Sequence, residues 1–407
     1  MQKRKAVLII LDGVGDRANP RLDYKTPLQY ARTPNLDRIA KKSVVGLMDS
    51  IAPGIRAGSD TSHLNILGYD PYKVYTGRGP FEAAGLDMDL EPGDIAFRCN
   101  FATVNDDLVV IDRRAGRIKE GTDELLKDIN GMVIEDAKVF VKPGVEHRAA
   151  LVLRGPGLSP EVSDVDPHDT GLKIHESKPL SAEAEKTARI LNEFVKRAHE
   201  IMKNHPVNKE REREGKKAAN ILLPRGAGMV PHLEKFETKT GLKGACVVGT
   251  PLIRGICKLA GITPIDVPGA TGGYDTDMIA KMDAVLKNLE TYNFILVNIK
   301  APDIAGHDMQ PHKKVEVVER IDEAIGHLYE NLPDNVVLIV TADHSTPCTI
   351  GDHSGDPVPI MIYGQDARRE GEEFNEISVL HGSLRIRASD LMNIVMNHTN
   401  RAEKFGA

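Results

Sequence analysis

The chain reads as an α/β protein: a mostly parallel sheet flanked by helices, interrupted by an inserted α+β segment. Three observations predict this class. Ala6–Leu11, Phe294–Asn298 and Val336–Val340 are short, continuous apolar runs rich in β-branched residues, as expected of strands buried on both faces of a parallel sheet. Amphipathic helical patterns separate the later runs, which implies right-handed parallel crossovers. From about Val74 the sequence becomes turn-rich, with short runs that suit antiparallel strands. The expected division is a core of residues 1–73 and 235–407, with residues 74–234 inserted as a substrate-binding domain.

Taken in order, Ala6–Leu11 ends in an acid, Asp12, followed by Gly13. Thr33-Pro34 opens a helix over Asn35–Lys42, with Thr33 as N-cap and Pro34 at the first helical position. Ala57-Gly-Ser-Asp-Thr-Ser-His-Leu-Asn-Ile-Leu-Gly68 places Ser59 at the start of a short apolar helix. There its hydroxyl lies beside free N–H groups that can receive a phosphate, or it serves only as an N-cap; Ser62 competes for any nucleophilic role. Within the insert, Gly79–Gly93, Asp106–Gly121 and Lys142–Gly157 are turn-rich, while Leu108–Asp112, Lys138–Val141 and Ala149–Leu153 read as strands. Asp166-Pro-His-Asp-Thr-Gly171 is a polar loop, and Ser181–Asn204 an amphipathic helix capped by Ser181. The charged run Lys209–Lys217 reads as a solvated helix end or loop. Asn220–Pro224 is a strand ending in Arg225. The α/β pattern then resumes: a strand at Gly244–Gly249, a helix to Ala260, a strand at Thr263–Val267 and a helix over Asp277–Leu289. The Phe294–Asn298 strand is followed by Lys300-Ala-Pro-Asp303-Ile-Ala-Gly-His307, and a long helix over Val315–Leu332 feeds the Val336 strand.

Composition excludes several classes. A length of 407 residues suggests two domains or a core with a large insertion. A hydrophobic share of 41% suffices for a buried core, and the net charge of −6 offers no electrostatic case for nucleic acid or an anionic membrane. The scattered Cys99, Cys246, Cys257 and Cys348 form no C-x-x-C pair, so neither a disulfide framework nor a zinc ribbon is indicated. The apolar run behind the basic N-terminus is too short for a signal peptide, and no stretch approaches a membrane span. A soluble, cytoplasmic protein is expected.

The chemistry gathers where the strands end. Asp12, Asp303 and Asp343 each follow an apolar strand; His307 lies four residues after Asp303, His344 adjoins Asp343, and His353 follows on the next loop. Parallel strands deliver their C-terminal ends to one rim, where α/β folds place ligands. Six carboxylate and imidazole groups there suffice for two divalent metals, which can activate a nucleophile and clamp a transferring phosphoryl group. By donor chemistry alone zinc, magnesium, manganese or cobalt are all acceptable.

The order Leu-Asp12-Gly, Gly-Ser59-x3-His-Leu-Asn65, Pro-Asp303-x3-His307, Thr-Ala-Asp343-His344 and Asp-His353 resembles the alkaline phosphatase superfamily. Within it, the chain is most similar to the cofactor-independent phosphoglycerate mutases in their shorter archaeal form. The resemblance implies an alkaline-phosphatase-like fold and an isomerase of glycolysis and gluconeogenesis. Such an enzyme interconverts 3- and 2-phosphoglycerate through a phosphoserine, without bisphosphoglycerate. It implies Ser59, rather than Ser62, as the phosphoserine. It further implies one metal held by Asp12, Ser59, Asp343 and His344 and another by Asp303, His307 and His353, with manganese the ion commonly assigned.

The insert matches less closely. Asp166-Pro-His168-Asp169 resembles a loop in which longer relatives carry an Arg-Asp pair, with His168 in place of the Arg. His147, Arg148 and Arg225 resemble other basic contacts to the substrate, Arg254 replaces a Lys, and Arg78 is a further phosphate contact. A phosphorylated carboxylic acid needs guanidinium partners of this kind. Asp169 is the expected general acid and base on the glycerate hydroxyls. Retaining the glycerate requires closure about joins near Val74 and Phe236. A metal-dependent phosphatase and a phosphopentomutase on the same core are the alternatives; a sulfatase is disfavoured by the absence of C-x-P-x-R, and a catalytically silent relative by the complete ligand set. Homo-oligomerisation is compatible with the sequence.

Overall fold

A computed structural model describes residues 2–406. The chain forms two compact units, Met1–Val74 with Leu233–Ala407, and Tyr75–His232.

The first unit is built on an eight-stranded sheet. Its strand order is Thr263–Pro264, Gly244–Val247, Phe294–Ile299, Lys5–Leu11, Val336–Thr341, Val358–Tyr363, Ser43–Asp49 and Leu384–Arg387. All pairings are parallel except the two made by Val358–Tyr363. The three apolar runs that the sequence marks are the three adjacent central strands. Lys5–Leu11 pairs with Phe294–Ile299 on one side and Val336–Thr341 on the other, in registers Leu8↔Leu296 and Leu8↔Ile339. Apart from Lys5 every residue of these strands is buried. The antiparallel Val358–Tyr363 and the strands Ser43–Asp49 and Leu384–Arg387 extend the sheet beyond what the apolar runs indicate.

The second unit is an antiparallel sheet covered by helices. Its central strand, Ile95–Val104, pairs with Arg148–Arg154, Ile221–Met229 and the short Val110–Asp112. Ile95, Phe97, Cys99 and Phe101 point to a core shared with Ile190, Leu191 and Phe194 of the helix Glu185–Lys203. Alternation sends Arg98 and Asn100 to the opposite face.

Several local readings are corrected. Gly79–Gly85 is a helix rather than turns, and Ile221–Met229 runs through Arg225 instead of ending there. Thr33 and Ser181 occupy N-cap positions without making a side-chain cap bond. The strand expected over Thr263–Val267 shrinks to Thr263–Pro264. Among the described residues no helix is long and apolar enough to cross a membrane.

Candidate metal centre and active site

Three adjacent strands bring three acids to one rim. Asp12 directly follows Leu11, and its backbone N–H donates to the Ile299 carbonyl of the neighbouring strand (3.1 Å). Asp343 lies two residues beyond Thr341, and Asp303 is in the first turn of the helix Ala301–His307. Gly13, at φ +62, turns the chain away between them; its N–H donates to Asp343 Oδ1 (3.0 Å). A Cβ there would come within 2.6 Å of Asp303 Oδ1, so the left-handed backbone and the close approach both require glycine.

Two clusters result, each with ligand atoms within 4.8 Å of one another: Asp12, Asp343 and His344, and Asp303, His344 and His353. His307 adjoins the second, its Nε2 lying 3.5 Å from Asp303 Oδ2 and 3.3 Å from His353 Nε2. The His344 and His353 rings stack at 3.7 Å. Ser59 is the first residue of the helix Ser59–Ile66, with Gly58 as its N-cap. Its Oγ lies 3.0 Å from His344 Nε2 and accepts from Lys300 Nζ at 3.2 Å. Ser62 instead donates to the Asp343 carbonyl (2.5 Å) and is fully buried. Of the two serines, Ser59 alone faces the cluster through its hydroxyl.

The electrostatics suit a dication. Burial and the neighbouring Asp343 push the Asp12 carboxyl above its ordinary value. Burial, with His353 nearby, lowers His344 to about 3, which leaves a neutral imidazole with a lone pair to give. Burial opposes charge on Lys300, but Asp12, Asp303 and Asp343 outweigh it and hold the ammonium above its ordinary value. Lys300 Nζ donates to Asp12 Oδ1 and pairs with Asp303 Oδ2, both at 2.8 Å. Asp343 Oδ2 is buried with no hydrogen-bond partner. An orphaned carboxylate oxygen beside the neutral His344 imidazole is a donor set that a hard-to-borderline divalent cation satisfies.

Sequence reasoning missed the residues that hold this rim together. Asn298 donates to Asp12 Oδ2 (2.9 Å) and approaches His63 Nε2 (3.3 Å), while His63 Nδ1 lies 2.7 Å from the Ser59 carbonyl. Fully buried Lys281 donates to the Asn298 carbonyl (3.0 Å). Lys300 carries one available signal, its place directly after an apolar strand, and His63 another, its place one helical turn after Ser59; Asn298 and Lys281 are joined to the rim only by tertiary structure.

The second unit gathers a separate basic cluster on the sheet face opposite its core. Arg98 stands in register with Arg225, and Asn100 with Arg148. Arg225 Nη1 lies 3.3 Å from His168 Nδ1, and its Nε lies 3.6 Å from Asp166. Asp166 itself is buried and takes two hydrogen bonds from Arg113 (3.1 and 2.6 Å). Arg78 pairs with Glu82 (3.0 Å). Burial and Arg78 lower Arg98 to about 9, and burial with Arg148, Arg114, Arg98 and Arg117 lowers His147 to about 4. Arg98 Nε, Arg225 Nε and His147 Nδ1 are buried without hydrogen-bond partners. Crowded cations with unused donors fit a polyanionic or carboxylate ligand. Arg98 was not among the residues the sequence suggested. Asp169 is exposed, its carboxylate accepting from the Thr170 N–H (2.8 Å). Arg254 lies in the first unit, on the helix Pro251–Leu259, paired with Asp266 (2.7 Å).

Comparison with known proteins bears on both units. Residues 40–208 match the family described as 2,3-bisphosphoglycerate-independent phosphoglycerate mutase, and residues 165–354 match type I phosphodiesterase / nucleotide pyrophosphatase. A 2,3-bisphosphoglycerate-independent phosphoglycerate mutase of Picrophilus torridus is 53% identical over 405 residues, covering 99% of this chain and 100% of the relative. One from Methanocaldococcus jannaschii is 51% identical, covering 100% of both. Among solved structures, a Pyrococcus horikoshii protein aligns over 100% of both chains at 40% identity with a TM-score of 0.88. The cofactor-independent phosphoglycerate mutase of Thermoplasma acidophilum aligns over 97% of this chain and 99% of its own, also at 40% identity, with a TM-score of 0.72.

Proposed function

We propose, from the premise that this chain belongs to the 2,3-bisphosphoglycerate-independent phosphoglycerate mutase family, that it interconverts 3-phosphoglycerate and 2-phosphoglycerate through a phosphoserine at Ser59. The observation that carries this reading is the Ser59 hydroxyl at a helix start, held between Lys300 and His344 amid three buried carboxylates.

Asp12, Ser59, Asp343 and His344 would hold one divalent ion, and Asp303, His307 and His353 another. When bound, such ions supply Lewis-acid polarisation of the phosphoryl oxygens and lower the pKa of the serine hydroxyl; manganese is our assignment from the family likeness. Ser59 Oγ, its proton already released to solvent, attacks phosphorus in line, the Oγ–P bond forms, and the bond from phosphorus to the glycerate oxygen breaks. Lys300, within 3.2 Å of Oγ, balances charge that grows on the phosphoryl oxygens. The leaving glycerate oxygen takes a proton, for which Asp169 is our candidate donor. The glycerate is retained by the basic residues His147, Arg148, His168, Arg225 and Arg78, with Arg98 joining them and Arg254 as a further contact. Its other hydroxyl, deprotonated by the same carboxylate, attacks the phosphoserine and releases Ser59. We place the reaction in the cytoplasm.

The test is to give manganese-loaded protein 3-phosphoglycerate without bisphosphoglycerate and follow 2-phosphoglycerate and free phosphate by phosphorus NMR. Formation of 2-phosphoglycerate with little phosphate, lost on chelation and in Ser59→Ala, is expected. Phosphate alone would make the protein a phosphatase on the same core. No product with any divalent metal would sink the substrate assignment.

A further inference from the structure

The loop that follows Asp343-His344 carries a residue no part of the mechanism uses. Thr346 is fully buried, and its hydroxyl touches a member of each ligand cluster: Asp303 Oδ1 at 2.6 Å and His344 Nδ1 at 3.1 Å. A hydroxyl has one proton and two lone pairs, so these two contacts cannot both be donations. Asp303 has the Lys300 ammonium 2.8 Å from its other oxygen, which keeps it a carboxylate with no proton to offer. The Thr346 proton therefore goes to Asp303, in the short charge-assisted bond that 2.6 Å indicates. The remaining contact must then be a donation from His344 Nδ1–H to the threonine oxygen. That leaves Nε2 as the ring's lone-pair atom, and Nε2 is the nitrogen that faces Ser59 Oγ (3.0 Å), Asp343 Oδ2 (3.3 Å) and Asp12 Oδ1 (3.8 Å).

We propose that Thr346 is a positioning residue that fixes His344 as its Nδ1–H tautomer, so that Nε2 presents its lone pair to the ligand cluster, and that it ties this imidazole, common to both clusters, to Asp303. The inference rests on reading the rim as a metal site.

The surroundings hold Thr346 in that one arrangement. Its N–H donates to the Gly15 carbonyl (3.0 Å). Its carbonyl accepts from Lys314 Nζ (3.0 Å), a fully buried ammonium that also bonds Asp16 Oδ2 (2.9 Å) and the Gly15 carbonyl (3.3 Å). Asp16 in turn accepts from the Cys348 N–H (3.2 and 3.1 Å). The loop after Leu11 and the loop after Thr341 are thus laced to each other and to the helix Pro311–Glu330. A Cβ on Gly13 would meet Thr346 Oγ1 at 2.6 Å, so the hydroxyl is packed against the turn that carries Asp12. Partners that orient a metal-binding imidazole typically change metal affinity 10–100-fold when removed.

The experiment uses the full chain carrying Thr346→Val, which keeps the shape and removes the hydroxyl, and Thr346→Ser, which restores it. In metal-free protein with nitrogen-15-labelled histidine, His344 is assigned by its loss in His344→Gln and its tautomer read from the ring nitrogen shifts. Manganese and zinc affinities are measured separately by competition with a chromophoric chelator. Wild type and Thr346→Ser are expected to show Nδ1–H and similar affinities, and Thr346→Val a mixed or reversed tautomer with about 10–100-fold weaker binding. An Nδ1–H signal and wild-type affinity in Thr346→Val would overturn the proposal, as would an Nε2–H tautomer in wild type. Should the valine variant fail to fold, Thr346→Ala is compared with Thr346→Ser by the same two readouts. Neither readout involves phosphoglycerate, so failure of the mutase assay alone would overturn the functional reading and not this one.

Discussion

Lys300 lies among three buried carboxylates, 2.8 Å from Asp12 Oδ1 and from Asp303 Oδ2. Removing it leaves those charges unpaired unless divalent ions take its place. Metal-free Lys300→Met should lose about 3 kcal/mol of stability, the order expected when one partner of a buried pair is deleted. Added manganese should restore most of that loss, while kcat stays about 10²–10³-fold down because the positive charge beside Ser59 Oγ is gone. Urea unfolding with and without manganese, beside kcat, tests both halves; unchanged kcat would remove Lys300 from the reaction. His147 gives the pH prediction. Burial and the arginines around it hold its folded pKa at about 4, below the ordinary 6.5. Between these values the unfolded chain takes up a proton that the folded one refuses. The stabilising contribution is therefore complete above pH 6.5 and lost as pH falls towards 4, by up to about 3 kcal/mol. His147→Gln should flatten that part of the stability–pH curve; an unchanged slope would show that His147 titrates normally.

Elements decide where sequence reasoning succeeds. The central strands of the first unit are legible because burial on both faces demands unbroken apolar runs, and each run ends where the chain meets the polar rim. The strand Ile95–Val104 does not announce itself that way. Its Arg98 and Asn100 belong to a polar face packed beneath the basic cluster, so the alternation carries charge where a solvated face or a turn would also fit. The helix Gly79–Gly85 is hidden by its glycines and Pro80: a Cβ on Gly79 would lie 2.0 Å from the Ala96 carbonyl oxygen, so packing against the strand selects the residue that propensity counts against. The contacts of Asn298 with Asp12, of Lys281 with Asn298 and of Thr346 with Asp303 are illegible for another reason, since each joins two different elements. Gly306, in the helix that carries Asp303 and His307, turns the same conflict into a prediction. Helix propensity favours alanine there by about 1 kcal/mol. A Cβ would lie 2.3 Å from the Thr346 carbonyl oxygen, and forcing backbone apart in a packed core costs about 1–3 kcal/mol or more. Gly306→Ala should therefore be destabilised and bind manganese more weakly, in a thermal melt and a chelator competition. A stabilised variant with normal affinity would mean that the helix can shift without disturbing Asp303.

For the whole molecule, the two units have different reasons to be stable. The first places three carboxylates in its interior, where burial works against Asp12 and where Asp343 Oδ2 has no hydrogen-bond partner. Its stability should depend on divalent ions, because an ion that binds only the folded state adds RT ln(1 + [L]/Kd), about 2.7 kcal/mol at a hundredfold excess over Kd. The second unit has its own apolar core, centred on Phe97, Phe101, Leu191 and Phe194, and none of the candidate metal ligands. Amide hydrogen exchange on the full chain separates the two contributions. Chelation should lower protection in Lys5–Leu11, Phe294–Ile299 and Val336–Thr341, the strands that feed the rim, while Ile95–Val104 and Arg148–Arg154 keep theirs. Adding manganese back should restore the first group alone. An equal loss in both groups would mean that the chain opens as one cooperative body, and no change in either would mean that the acids at the strand ends hold no metal.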